Sequence, residues 1–203
     1  MAQSPTQLKT LFVELPRSLD LQVTPEQFEA LAALNRDLKL ERTADGILIV
    51  NPPTGGETGY RNSKISYFLV KWIEEQGGNG MAFDSSTGFQ LPNGATRSPD
   101  VSWLDRDRWE SLTPQQRKAF LPLCPDFVIE LRSESDSVSK LRDKMREYMD
   151  NGAKLAWLID PQKRQVEIYR PGAAVEVLDN PDRLSGETVL TGFVLDLQRV
   201  LSV

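Results

Sequence analysis

The sequence predicts an α/β or α+β fold with a central mixed sheet flanked by helices. Two observations carry this: segments of helical apolar period alternate with short apolar, strand-like runs, and Gly, Pro, Asn and Asp clusters punctuate them. No internal repeat, low-complexity segment or inter-domain linker breaks the alternation. At 203 residues the chain is long enough for one real core and short for two. Residues 1–203 are therefore expected to form a single domain, with 1–20 as an N-terminal extension.

In that extension Leu8, Leu11, Phe12, Val13 and Leu15 lie between Pro5 and Pro16 and are expected to run across the domain body. Thr24-Pro25-Glu26-Gln27 then marks a helix start. Thr24 is the N-cap, Pro25 takes the first helical position and Gln27 completes a capping box, predicting a helix over 25–35. Apolar runs at 38–41 and 47–50 flank Ala44-Asp45-Gly46, a hairpin signal. Pro52-Pro53-Thr54-Gly55-Gly56 ends that pattern. Between 58 and 76, Ile65, Phe68, Leu69, Trp72 and Ile73 follow helical spacing, and Gly77-Gly78 stops the helix.

A strand pair is expected at 81–84 and 88–91, before the turn Pro92-Asn93-Gly94. The strand around Asp100 follows, then short helical pieces at 105–110 and 114–119, and the strand around Glu130. Residues 137–151 read as a helix closed by Gly152. Strands at 154–159 and 165–170 are joined by Asp160-Pro161-Gln162-Lys163-Arg164, and weaker strands are expected at 175–178 and 188–190.

Composition limits the chemistry. Hydrophobic content of 39% and charged content of 26% fit a soluble globular chain. No apolar run reaches membrane-spanning length, and Met1-Ala2-Gln3-Ser4-Pro5 lacks the pattern of a secretory signal, so a cytoplasmic protein without membrane contact is expected. Cys124 is the single cysteine, which excludes an intrachain disulfide. The chain has no histidine, which removes imidazole acid–base chemistry and His-ligated zinc. A bound metal would need oxygen ligands, pointing to magnesium, manganese or calcium. The net charge of −5 argues against nonspecific coating of nucleic acid, which normally comes with a basic surface. A local cluster at Lys140, Arg142, Lys144 and Arg146 still leaves room for a nuclease, although such charges commonly form a solvated helix face.

The chemistry-bearing segments are Ser98-Pro99-Asp100-Val101-Ser102-Trp103 and Pro125-Asp126-Phe127-Val128-Ile129-Glu130-Leu131-Arg132. Each sets a carboxylate inside an apolar run, where an unpaired charge costs several kcal/mol. Side chains alternate faces along a strand, so Asp100 and Ser102 share one face, as do Val128, Glu130 and Arg132. If the strands are neighbours, Asp100 and Glu130 converge on one cation. The alternatives are a turn role for Asp100 after Pro99 and a buried ion pair between Glu130 and Arg132 or another base. On the following helix Val138, Leu141, Met145, Tyr148 and Met149 form the buried stripe. Lys144 stands at its edge, able to reach the carboxylates or simply to cover apolar surface.

Together, Pro99-Asp100, Glu130-Leu131-Arg132-Ser133 with Ser135-Asp136, Leu141-x-x-Lys144-Met145-x-x-Tyr148, Gly152 and Trp157-Leu158-Ile159-Asp160-Pro161 resemble the Uma-type restriction endonucleases of bacteria, members of the PD-(D/E)xK nuclease superfamily. Pro52 to Gly59, with Arg61-Asn62, matches the same group, and the resemblance spans about residues 20–200. It implies a restriction-endonuclease-like core and metal-dependent hydrolysis of phosphodiester bonds in nucleic acid, DNA foremost. In such nucleases the strand acids, here Asp100 and Glu130, bind Mg2+ or Mn2+, and a lysine orients and activates water. A helix glutamate assists, which carries over to Glu57; the alternative for Glu57 is a favourable charge at a helix N-terminus. The superfamily lysine position holds Arg132, too basic to accept a proton, and within this family the lysine is displaced to the next helix as Lys144. Arg132 and Tyr148 become candidate substrate contacts, Tyr148 with a core role as its alternative. Cutting both strands of a duplex implies a homodimer, with apolar residues of the C-terminal strands as its interface. The competing function is a catalytically silent module that keeps the nuclease fold and binds nucleic acid or protein. A metal-free glycosidase carboxylate pair leaves the basic helix unexplained.

Overall fold

Strand parity organises the architecture. The computed structural model describes residues 20–202, so the expectations for Leu8 to Leu15 lie outside the described residues. The chain begins with α1 (Pro25–Leu34), whose Thr24 hydroxyl accepts the Gln27 N–H while the Gln27 side chain accepts the Thr24 N–H, completing the capping box. Strands β1 (Lys39–Arg42) and β2 (Leu48–Asn51) pair antiparallel across the Asp45-Gly46 turn, where Gly46 takes a φ of 88°. Next come α2 (Gly56–Gln76), β3 (Gly80–Asp84), β4 (Phe89–Gln90), β5 (Thr96–Arg97) and β6 (Val101–Asp105). After α3 (Arg106–Glu110) and a 3-10 turn at Gln116–Lys118 the chain forms β7 (Phe127–Leu131), α4 (Val138–Asp150), β8 (Leu155–Asp160) and β9 (Gln165–Tyr169). It ends with β10 (Glu176–Asp179), β11 (Arg183–Ser185), β12 (Val194–Asp196) and α5 (Leu197–Leu201).

The central sheet has six strands in the order β10-β9-β8-β7-β6-β3, and a four-stranded sheet runs β2-β1-β5-β4. Within the central sheet only β7 and β8 are parallel, joined over one face by α4. Every residue of β7 is buried, as a strand covered on both faces requires. Its odd positions Phe127, Ile129 and Leu131 pack with Ile65, Leu69 and Trp72 of α2 and with Leu195 and Val200 of the C-terminal segment. Val128, on the opposite face, packs with Met145 and Tyr148 of α4. Glu130 shares that second face, so a carboxylate stands beneath α4 in an otherwise apolar layer.

Two strand expectations fail. The segments at 81–84 and 88–91 do not pair with each other. β3 takes β6 as partner, with Met81 opposite Leu104, whereas β4 joins the smaller sheet through β5 across the Asn93-Gly94 turn. The two runs are locally alike, and long-range partners divide them. Residues 188–190 form a turn, with the flanking β11 and β12 paired instead. Leu190 is fully buried there, so its apolarity fills core rather than marking a strand.

Candidate active site

The register of β6 against β7 sets Val101 opposite Ile129 and Ser102 opposite Val128, so the next step outward puts Asp100 across from Glu130. The Leu131 N–H donates to Asp100 Oδ2 at 3.0 Å, which pins the aspartate to the neighbouring strand. In the other direction Glu130 lies beside Leu158 and Leu158 beside Glu167. Asp100, Glu130, Leu158 and Glu167 thus form one row across the face that α4 covers, with strands about 4.8 Å apart.

α4 lays Lys144 and Tyr148, one turn apart, over that row. Lys144 Nζ stands 2.8 Å from Glu130 Oε1, and the Tyr148 hydroxyl donates to the same oxygen at 3.0 Å. Lys144 also donates to Glu41 Oε1 at 2.9 Å. Glu41 comes from β1 of the smaller sheet and is 3% exposed. Its Oε1 accepts the Ser98 N–H at 2.9 Å, and its Oε2 faces Arg97 Nη1 at 3.6 Å. Lys39, two residues before Glu41 on the same strand face, reaches Asp100 Oδ1 at 3.4 Å, a long contact that gives way easily.

The electrostatics follow from this crowding. Burial is the largest influence on Glu130 and raises its pKa. Lys144 counters it, while Asp100 and Glu41 push further up, and the result is about 7. Burial also acts on Glu41, but Lys144, Arg97 and the Ser98 N–H outweigh it and hold that carboxyl below its ordinary value. For Lys144, burial disfavours the ammonium, yet Glu130 and Glu41 more than compensate and raise its pKa. Lys144 is accordingly a fixed positive charge and a poor proton acceptor at neutral pH.

These donors suit a hard divalent cation. Asp100 and Glu130 offer oxygen only, and among the described residues no hydrogen bond reaches Glu130 Oε2. Burial first, then Asp100 and Glu41, raise the pKa of Glu130, and a cation held between Asp100 and Glu130 would lower it. Among the described residues no three acidic, cysteine or histidine groups close into a metal cage. Magnesium commonly uses one or two carboxylates, with waters and substrate phosphate completing its shell.

The structure thus brings together Asp100, Glu130, Lys144 and Tyr148, and separates the other two sequence candidates from them. Glu57 lies in the first turn of α2, the helix packed on the opposite face of the sheet. Its side chain is 68% exposed and pairs with Arg61 at 2.9 Å, the geometry of an ordinary N-terminal helix acid. Arg132 turns from Glu130 to Asp160, with Nη1 2.8 Å from Oδ2. Tyr148 is fully buried, and its hydroxyl donates to Glu130 Oε1. Sequence reasoning missed Glu41, Lys39 and Arg97. The available signal was the alternation Leu38-Lys39-Leu40-Glu41 before the hairpin, which sets an acid within a short strand as at Glu130.

Comparison with known proteins bears on the family and the fold. No curated protein sequence matches the chain at a significant level. A crystal structure from Anabaena variabilis ATCC 29413, described as "a putative nuclease belonging to DUF820", superposes with a TM-score of 0.68 at 22% identity, covering 80% of this chain and 89% of that one. At that identity the likeness shows a shared fold. The profile of the Uma2 family, described as "Putative restriction endonuclease", matches residues 25–198, nearly the whole described structure, and the chain belongs to that family.

Proposed function

We propose that this protein is a metal-dependent endonuclease that hydrolyses phosphodiester bonds of nucleic acid, with DNA as the first substrate to test. The observation that carries the proposal is the meeting of Asp100 and Glu130 across β6 and β7 with Lys144 2.8 Å from Glu130, in a chain of the Uma2 family. Asp100 and Glu130 would hold a magnesium or manganese ion. When bound, such an ion supplies Lewis-acid neutralisation of phosphate charge and an activated water.

The chain's own groups prepare the site. The Leu131 N–H holds Asp100, and Tyr148 and Lys144 hold one oxygen of Glu130, leaving its other oxygen uncommitted. The Lys144 ammonium, kept charged by two carboxylates, places a positive charge beside the charge that develops on a phosphate under attack. Arg132, paired through Nη1 with Asp160 and sharing a small pocket with Lys163, would support substrate binding rather than catalysis.

The proposal takes the chain as one catalytic domain acting in the cytoplasm as a homodimer, an assembly supported by the exposed Val177 on edge strand β10 and Val194 on β12. Among the described residues no helix is long and apolar enough to cross a membrane. The test is nicking of supercoiled plasmid and cleavage of RNA with magnesium or manganese, by wild type, Asp100→Ala and Glu130→Ala. Metal-dependent cleavage by wild type, lost in both variants, supports the proposal. Inactivity of wild type on both substrates with every divalent metal would overturn it in favour of a silent nuclease-fold binding module.

A further inference from the structure

A row of alternating charge runs behind the site. Arg97, on β5 and 8% exposed, donates from Nε to Glu147 Oε2 at 2.5 Å and turns Nη1 toward Glu41 Oε2 at 3.6 Å. Glu41 in turn holds Lys144, and Lys144 holds Glu130. The order is Glu147, Arg97, Glu41, Lys144, Glu130. Glu147 and Lys144 are three residues apart on α4, so the first and fourth members of the row sit on one turn of the same helix. Asn93 fixes the far end by donating to Glu147 Oε1 at 2.9 Å.

We propose that Arg97 is a positioning residue for Lys144, acting through Glu41; the catalytic part of this role rests on the nuclease reading above. Glu41 is a carboxylate with two buried oxygens and two competing cations. Arg97 occupies the side of Oε2, which leaves Lys144 only Oε1, shared with the Ser98 N–H. Without the guanidinium, Glu41 carries an uncompensated buried oxygen, and the nearest mobile cation is the Lys144 ammonium. Lys144 is then drawn toward Glu41 and away from Glu130. Arg97 therefore sets how one ammonium divides between two carboxylates, although it touches neither Glu130 nor Asp100. The planar fork of arginine suits this bridge between Glu41 and Glu147, whereas lysine supplies only a point charge.

The test uses Arg97→Met, Arg97→Lys and Glu147→Gln, with Arg170→Met as control. Arg170 joins Glu176 and Glu187 in an ion-pair cluster elsewhere in the fold. The first readout is the proton–nitrogen spectrum of lysine ammonium groups in metal-free protein, with the Lys144 signal identified by its loss in Lys144→Met. Arg97→Met should shift or broaden that signal, and Arg170→Met should leave it unchanged. In cleavage assays Arg97→Met should lower kcat about tenfold with KM little changed, as expected for a displaced catalytic group. Arg97→Lys should recover part of that loss. In a Glu41→Gln background the Arg97→Met effect should shrink, since the coupling runs through Glu41. A folded Arg97→Met protein with an unaltered Lys144 signal, or with the same loss in both backgrounds, overturns the proposal. Should Arg97→Met fail to fold, Arg97→Lys and Glu147→Gln are read by the same criteria. If wild type cleaves nothing, the nuclease reading fails, and the ammonium signal alone decides the positioning role.

Discussion

Two glutamates in the same row across the central sheet have nearly the same partners and opposite electrostatic fates. Glu130 has Tyr148 and Lys144; Glu167 has Tyr169 and Arg142. Each tyrosine donates its hydroxyl to the glutamate, and each cation comes down from α4. Burial raises both carboxyls. At Glu167, hydrogen bonds from Arg142 and Tyr169 overcome it and the pKa falls below its ordinary value, while Glu130 rises to about 7. The first difference is depth of burial, the largest influence on Glu130 and a weaker one at Glu167, and the second is the number of acids per cation. Arg142 serves Glu167 alone, with Nε reaching both carboxylate oxygens at 2.9 and 3.2 Å. Lys144 divides one charge between Glu130 and Glu41, and Asp100 adds a further negative charge across the strand pair. Glu167 is thus compensated by its own partners, whereas at Glu130 burial together with Asp100 and Glu41 outweighs Lys144.

The sharpest break in this comparison is activity. Glu130→Gln should lower metal-dependent cleavage on the order of 1000-fold, since a ligand and its charge are lost. Glu167→Gln should keep cleavage within about threefold and lower stability by about 1 kcal/mol, its partner Arg142 being well exposed to solvent. Equal loss of cleavage in the two variants would show that the row acts as one site.

Stability against pH gives the next largest effect. The folded pKa of Glu130 lies above its unfolded value, so between about pH 4.5 and 7 the folded state holds a proton that the unfolded state has released. For this group stability is fully present below the unfolded pKa and falls as pH rises through the folded one, by about 3 kcal/mol in metal-free protein. Chemical denaturation across that range should show a slope in wild type that is diminished in Glu130→Gln. Glu167, with its lowered pKa, contributes stability present above its unfolded value and lost on acidification below it, so Glu167→Gln should leave the slope between pH 5 and 7 intact.

Lys144→Ala should reduce cleavage on the order of 100-fold, as for loss of one directed electrostatic contact, with little change in metal affinity measured by calorimetry. Full activity in that variant would remove Lys144 from the chemistry. The smallest expected effect belongs to Glu57→Ala, a few tenths of a kcal/mol in thermal stability from a solvated helix pair, with cleavage unchanged. A large loss of cleavage there would return Glu57 to the site.

Much of the candidate site's geometry was legible before the structure. The alternation of side chains along a strand put Glu130 among apolar residues on a definite face, and helical spacing put Lys144 and Tyr148 on the edge and body of one buried stripe. Those signals are local, set by backbone geometry within a few residues, as are the capping box at Thr24 and the left-handed glycine that ends α2. What the sequence alone determined was therefore the elements, their buried faces and the residues those faces carry. Tertiary structure decided the partners. Glu41 meets Lys144 across 103 positions of chain, β3 and β4 separate into different sheets, and Arg132 chooses Asp160 over the nearer-in-sequence Glu130. Charge pairing depends on which strands close the sheet and which oxygens remain uncompensated after burial, and neither is encoded in any window as short as a helix turn.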